Sequence, residues 1–414
     1  MGNLDNEHFN NTYVYDPNHS SIDLEFSSPP ENVYGMSCQE YINYMLSSTT
    51  YGGSKKGTRF GLCKDYVFEP STTNNPGTDD FERHNVSIFC PKECCTRYNS
   101  STGKQEVVSY EGDPTWDTDK INPEYNRMIE FPKFYYDRTC LHELWVSPTP
   151  VTGCTKPSPM HYRNGKLYDY VYISKYHLNS NYRSVTGTTP VNSKNIATLR
   201  TNTRAQGMYI MDYPAASSII MLMLIKYATI DVQTVIGYGL SNRSATGLAD
   251  SVLSKDGRVG SATNTTSATV AFGLENWWGN YSTLVDGIFK NTSNKLIINE
   301  DIENITENPD TVTYTGYTEI PTAPATSSMN IKEGMLDEQF PYIMVAVPVS
   351  NSSYANGTSD YYHYKSGFTC ICIGSYGGQG TKMGPLTVDA STTSLTSTLA
   401  TVSIRGMFFS STYS

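Results

Sequence analysis

Residues 204–240 read RAQGMYIMDYPAASSIIMLMLIKYATIDVQTVIGYGL and hold the longest apolar helical pattern in the chain. Asp212 or Tyr213 can cap a helix start, and Pro214 suits the first turn, where a missing N–H costs nothing. Ile219, Met221, Leu222, Leu224 and Ile225 leave almost no polar face, the pattern of a helix buried nearly all round. Lys226 and Asp231 interrupt the run, which falls far short of the ~20 apolar residues that span a bilayer. Gly237 and Gly239 are the expected stops. The segment predicts a core helix that strands and loops pack against, with no membrane insertion.

The chain around it has a different character. Only 17 % of the 414 residues are charged and 38 % are hydrophobic. Abundant Thr, Tyr and Gly favour β-rich and loop-rich surroundings, so the expected fold class is α+β. Tyr outnumbers Phe 32 to 14. A ring with a wet hydroxyl suits half-exposed surfaces, whether strand faces, subunit interfaces or binding faces. The net charge of −10 argues against nucleic acid or an anionic membrane as partner, because both demand basic patches.

Residues 1–35 are polar and include SSPPEN, the composition of an extended arm. QEYINYML (39–46) suggests one short helix, and 50–82 is rich in Gly, Ser, Thr and Asn. Short strands are then expected at NVSIFC (85–90), QEVVSY (105–110) and MIEFPKFYY (128–136), the last broken by Pro132 at an edge or bulge. Asn164-Gly165 is a strong two-residue turn signal. After it Tyr168, Tyr170 and Tyr172 alternate with Val171 and Ile173 as a strand. Residues 180–203 and 241–266 read as polar, exposed loops. GLENWWGNYSTLVDGIF (273–289) is the second organised stretch, with Trp277 and Trp278 expected in the core and a strand ending at Asp286-Gly287. Further strands are expected at 296–301, 311–320, 342–349, 368–373 and 402–409.

Nine cysteines are present. Cys90, Cys94 and Cys95 are close enough to suggest zinc, but no second CxxC or HxxxH pair completes a site, so no metal and no cofactor are expected. Cys370 and Cys372 stand two apart in FTCICIG and should share one face as buried thiols. The acidic loop 111–119 lacks the spacing and closing Glu of an EF-hand. No histidine lies in HExxH or beside a nucleophile motif, and no P-loop or dinucleotide fingerprint occurs. Glu275, Asp286 and Asp389 are unpaired in sequence, so no catalytic residue is assigned and no enzyme is expected. The start lacks the basic and apolar regions of a signal peptide.

Several ordered pieces resemble a known family. VVSYEGDPTWDTD…NRMIEFPKFYY (107–136), YRNGKLYDYVYISKYHL (162–178), the apolar helix with DVQTVIGYG, GLENWWGNYSTLVDGI, and the close SYGGQGTKMGPLTVDAS…ATVSIRGMFF are similar to segments of phage tail and virion-surface proteins that carry a C-type lectin-like domain. Relatives in that family include the variable proteins of diversity-generating retroelements, whose lectin-like end displays the ligand-contacting residues. The resemblance covers about residues 105–414, with gaps, and implies a C-type lectin-like C-terminal domain after a β-rich N-terminal region with an extended arm. It marks Asp231, Gln233, Gly237, Glu275, Asn276, Trp277, Trp278, Gly279, Asp286, Gly287, Gly377 and Gly378 as structural motif positions. One departure matters: an aromatic that follows the paired glycines in the family is replaced by Gln379-Gly380, so no ligand site carries over from it.

The expected organisation is an N-terminal virion-attachment region (1–100), a small β-rich segment (101–155) and the lectin-like domain (156–414). The expected function is that of a non-enzymatic structural protein on the surface of a tailed-phage virion, on tail or capsid, acting as a receptor-binding, host-adhesion module. The alternative is a capsid decoration, head-fibre or tail-tip subunit with a mainly assembly role. Partners implied are other virion proteins through the N-terminal region, further copies of the chain as a homo-oligomer with a trimer favoured, and a host surface glycan or protein. Two loops carry candidate contacts: Tyr354, Tyr361, Tyr362, His363 and Tyr364 in one, and Tyr376, Gln379, Thr381, Lys382 and Asp389 in the other. Aromatic, Asn and Ser side chains give stacking faces and adaptable hydrogen bonds at low entropic cost.

Overall fold

The apolar run forms the helix Tyr213–Tyr227, every residue of which is buried. Asp212 opens it, its Oδ1 accepting from the Ala215 N–H at 3.0 Å, a side-chain cap for a backbone N–H that has no partner within the helix. Lys226 does not break it. Its Nζ donates to the Phe89 carbonyl at 2.9 Å and pairs with Asp256 at 2.6 Å and Asp79 at 2.8 Å. Asp256 also accepts from the Tyr227 hydroxyl and the Phe272 N–H. A buried ammonium is tolerated only with such a full set of partners. The helix ends at Tyr227 and does not run on to Gly237. A separate short helix, Val232–Ile236, begins after Asp231 and stops at Gly237, whose φ is 137°.

The computed structural model describes residues 34–36, 59–60, 67–140, 143–150, 155–227, 229, 231–261, 267–305, 315–321, 324, 326–331, 339–343, 360–376, 379, 382–391, 398 and 400–414. The architecture is mostly β with a few helices, within the α+β class. A six-stranded antiparallel sheet runs in the order Tyr209–Ile210, Gly406–Phe409, Tyr170–Ser174, Asn126–Pro132, Lys92–Asn99, Lys104–Tyr110. Its middle strand shows the expected alternation. Val171 and Ile173 face the cluster built on the core helix, while Tyr172 faces a second cluster with Met128 and Phe408.

An eight-stranded mixed sheet centres on Ser282–Lys290, which pairs with Leu296–Ile298 on one side and Thr369–Ile373 on the other. Beyond Thr369–Ile373 lie Val388–Ala390, Tyr361–Tyr364 and Met329–Asn330. The core helix packs on Ser282–Lys290 and on the smaller sheet that contains Glu143–Ser147. The C-terminal stretch expected as one strand is two. Val402–Ser403 runs parallel to Ser282–Lys290, and Gly406–Phe409 enters the six-stranded sheet. The chain crosses between the sheets at Ile404-Arg405.

Other expectations fare unevenly. Asn164 (φ 49°) and Gly165 (φ 77°) form the predicted turn between Tyr162–Arg163 and Lys166–Leu167, both left-handed as a type I′ turn demands. Pro132 ends a strand, and the chain resumes at Tyr135–Cys140 in another sheet. NVSIFC is not a strand but the 3-10 turn Ser87–Phe89. Part of the expected loop 180–203 is the helix Ile196–Arg204, capped by the Asn195 side chain on the Thr198 N–H. The strand through 282–290 does not end at Asp286-Gly287; it bulges there and continues, with Gly287 at φ 76°. Residues 241–261 of the expected loop are largely at the surface, yet Asp256 among them is buried against Lys226. The expected helix at 39–46 and most of 342–349 lie outside the described residues.

Candidate recognition site

The motif positions Gly237, Trp278 and Gly279 come together with Gly239, Leu240 and Gly374. The Trp278 Nε1 donates to the Gly237 carbonyl at 2.9 Å, and its ring lies so close to Gly239 that a Cβ there would meet it at 2.9 Å. The Gly279 N–H bonds the Gly374 carbonyl and the Asn280 N–H bonds the Leu240 carbonyl. Three stretches far apart in sequence thus share one knot. Trp277 and Trp278 are both fully buried.

The ionic groups at and around the other motif positions are sequestered. Arg200 holds Asp286 with two bonds, at 2.8 and 2.5 Å, the fork geometry that suits a planar guanidinium. Arg163 pairs with Asp212 at 2.9 Å, and burial raises the Asp212 carboxyl to about 6. Both Glu275 oxygens accept backbone N–H groups, from Gly247 and Ala249 at 2.9 Å each. Burial still raises Glu275 to about 7, because those bonds offset only part of the desolvation. Arg405 donates to the carbonyls of Ser174, Lys175, Glu275 and Asn276, tying the six-stranded sheet to the tryptophan turn. Asp231 and Gln233 are buried as well. Gly377 and Gly378 lie outside the described residues.

The two candidate loops meet through sheet pairing. Tyr361–Tyr364 runs parallel to Val388–Ala390, with His363 opposite Asp389. Strand alternation then divides the first loop's residues. Tyr362 points into the core and is fully buried, and Tyr364 turns the same way, toward Asn294 and the Lys290 ammonium. Tyr362 is thus closed to a partner, whereas Tyr364 is half-buried and engaged by these packing contacts. Tyr361 and His363 face the other side, rings 4.7 Å apart at 62°. The Lys382 ammonium sits 4.1 Å from the centre of the Tyr361 ring. The His363 Nε2 is buried without a hydrogen-bond partner among the described residues. Burial holds the imidazole below its ordinary value; Asp389 opposes this and Lys382 adds to it. Asp389 accepts from the Ser391 N–H and hydroxyl at 2.8 and 2.5 Å.

Beside this group Gln379 donates to the Tyr376 hydroxyl at 3.1 Å. Tyr361, His363, Tyr376, Gln379, Lys382 and Asp389 are all half-buried, the exposure that combines fixed geometry with access. Tyr354 and Thr381 lie outside the described residues. The patch offers an aromatic face, a cation, a carboxylate and an imidazole. That set suits reversible contacts with a polar or aromatic partner.

Among the described residues no group of three His, Cys, Asp or Glu side chains could hold a metal. Cys90, Cys94, Cys95, Cys370 and Cys372 are free thiols. Burial pushes Cys370 up to about 12 and Cys95 to about 11, and holds Cys94 well above the ordinary value, so these sulfurs stay as inert thiols at neutral pH. Among the described residues no helix is long and apolar enough to cross a membrane.

No protein-family profile and no curated protein matches the chain. Among solved structures it is similar to the Major Tropism Determinant U1, I1 and M1 variants. The U1 and I1 variants share 10 % identity with it and the M1 variant 9 %, each with a TM-score of 0.29. Each alignment covers 77 % of this chain and 72 % of the other. At that distance the likeness assigns no role to any residue.

Proposed function

We propose that this chain is a surface-exposed structural protein of a tailed-phage virion, without enzymatic activity, and that it acts as a receptor-binding, host-adhesion module through a C-type lectin-like domain. The sequence motifs that resemble that family support the class. The observation that carries the adhesive role is the parallel pairing of Tyr361–Tyr364 with Val388–Ala390. It gathers residues from two separate loops into one half-buried patch, Tyr361, His363, Lys382 and Asp389, on a rigid sheet. Recognition by loops fixed on a scaffold needs such a patch. In the same reading residues 1–100 attach the chain to other virion proteins, and the particle carries it as a homotrimer.

The test is binding of the purified full chain to a panel of bacterial strains. Wild type should bind at least one strain, and the double variant Tyr361→Ala/Lys382→Ala should bind it about tenfold or more weakly. Equal binding by the variant removes the patch from the site. A stable oligomer that binds no strain, found only on assembled particles, supports the decoration role instead.

A further inference from the structure

A cleft of about 1120 Å³ lies on the six-stranded sheet and shares no residue with the loop patch. It is lined by the hairpin edge at Thr102–Val107, by Arg204 and residues 207–209, and by the C-terminal tail from Ser410 to Tyr413; the first two are joined where Gln105 Nε2 donates to the Gln206 carbonyl at 2.6 Å. Tyr168, Tyr170 and Tyr172 all line it, Tyr170 and Tyr172 from the strand Tyr170–Ser174 and Tyr168 from the stretch just before it, which bridges to Tyr413. Tyr172 stacks on Phe408 at 4.4 Å with 4° between planes, and Tyr168 stacks on Phe409 at 4.6 Å. These inner rings are fixed by each other. Tyr170 and Tyr413 are the open ones, 39 % and 54 % exposed. The tail that holds Tyr413 is itself pinned, through paired bonds between Leu167 and Ser414 and from the Ser410 N–H to the Tyr170 carbonyl.

The polar groups of the lining are of both signs and partly unengaged. Among the described residues no carboxylate pairs with Lys104 or Lys166, and Glu303 makes no ion pair. Lys166 rests over the Tyr413 ring at 4.9 Å. Three cations, Lys104, Lys166 and Arg204, and two carboxylates, Glu106 and Glu303, line it. That balance is far too weak for a nucleic-acid strand, which demands a basic groove. Interleaved charges and hydroxyls break any continuous apolar strip, so neither a lipid chain nor the apolar face of a helix finds a matching surface. What fits is a ligand with weakly apolar faces to lay on rings and many hydroxyls that both donate and accept.

We propose that this cleft is a carbohydrate-binding site that takes an oligosaccharide, with sugar faces against Tyr170 and Tyr413 and hydroxyls bonded to Lys104, Lys166 and Glu303. Its volume exceeds that of a typical small-molecule pocket, roughly 300–1,000 Å³, which favours a chain of sugars over a single one. The site stands independently of the adhesive role proposed for the loop patch.

The experiment applies the full chain to an array of defined neutral and acidic oligosaccharides, then measures the strongest array ligand by titration calorimetry. Binding to at least one oligosaccharide is expected. Tyr170→Ala and Tyr413→Ala should each weaken it about tenfold. Both side chains are open enough that the melting temperature should hold. Tyr162→Ala, 50 % exposed outside the cleft, and Lys382→Ala in the loop patch should leave it unchanged. No array binding by wild type overturns the proposal. So does binding that survives both cleft substitutions, or saturation of the cleft by a proline-rich peptide with which no saccharide competes. Loss of cell binding in the loop variant with saccharide binding intact separates failure of one site from failure of the other.

Discussion

Arg405 and Lys382 are both cations laid against an aromatic ring, and their surroundings could hardly differ more. Arg405 is fully buried, 5.8 Å from the Trp277 ring, with bonds to four carbonyls from two segments. Lys382 is half-buried, 4.1 Å from the Tyr361 ring, and near a carboxylate and an imidazole that it meets only through space. The first cation has both terminal nitrogens engaged by backbone carbonyls, with only its buried Nε lacking a hydrogen-bond partner among the described residues, and it acts as a lock. The second has hydrogen-bonding capacity left for something that arrives. The same contact type marks structure where the cation is sealed in among backbone carbonyls and recognition where it stays accessible.

The largest way to break this contrast is Arg405→Ala. The substitution removes the donor from the carbonyls of Ser174, Lys175, Glu275 and Asn276, of which that of Lys175 keeps the Glu275 N–H, and opens a void beside Trp277. Each unsatisfied buried group costs about 1–3 kcal/mol, so a loss of about 3–5 kcal/mol is expected once partial relaxation is allowed. Chemical denaturation monitored by tryptophan fluorescence measures it. A loss below about 1 kcal/mol would mean that water reaches these carbonyls and that Arg405 is no lock.

Glu275 sharpens the same side of the comparison through pH. Its carboxyl is raised to about 7 from an ordinary 4.5, first by burial. A carboxyl raised by folding binds its proton more tightly in the folded state. Its contribution is fully present below pH 4.5 and is lost as pH rises through about 7. Glu275→Gln fixes the neutral form at all pH values. Wild type should therefore lose about 2–3 kcal/mol relative to the variant between pH 4.5 and pH 8. Buried His161 and His177, both held below the ordinary imidazole range, act in the opposite direction on acidification, but they are common to both proteins and cancel in the difference. Parallel stability profiles for the two proteins would place the Glu275 charge in contact with water.

How far the sequence could be read divides along similar lines. Tyr213–Tyr227, the Asn164-Gly165 turn, the buried tryptophans and the shared face of Cys370 and Cys372 follow from patterns that are local, and local patterns survive folding. Ile196–Arg204 was hidden because its turns carry Thr, Asn and Arg; the Asn195 cap was its one signal. Asp256 looked like a loop residue because nothing local shows that Lys226 needs a partner 30 positions on. The recognition patch was half legible. Composition singled out both loops, but only the parallel register shows that Tyr361 and His363 face out while Tyr362 and Tyr364 face in. The aromatic cleft was not legible at all beyond the Tyr alternation at 168–172, since its walls come from four separate stretches.

The smallest effect is the most pointed. Lys382→Ala removes a half-buried cation from the Tyr361 ring, a contact worth about 0.5–1 kcal/mol at an accessible site. Stability should therefore change by about 1 kcal/mol at most, because the sheet pairing of Tyr361–Tyr364 with Val388–Ala390 does not depend on it. The His363 ring should respond more than the fold does. Lys382 holds the imidazole down while Asp389 holds it up, so with the ammonium gone the His363 titration seen by NMR should move to higher pH. A large stability loss with no movement of that titration would make Lys382 a lock like Arg405, and the distinction between the two regions would fall.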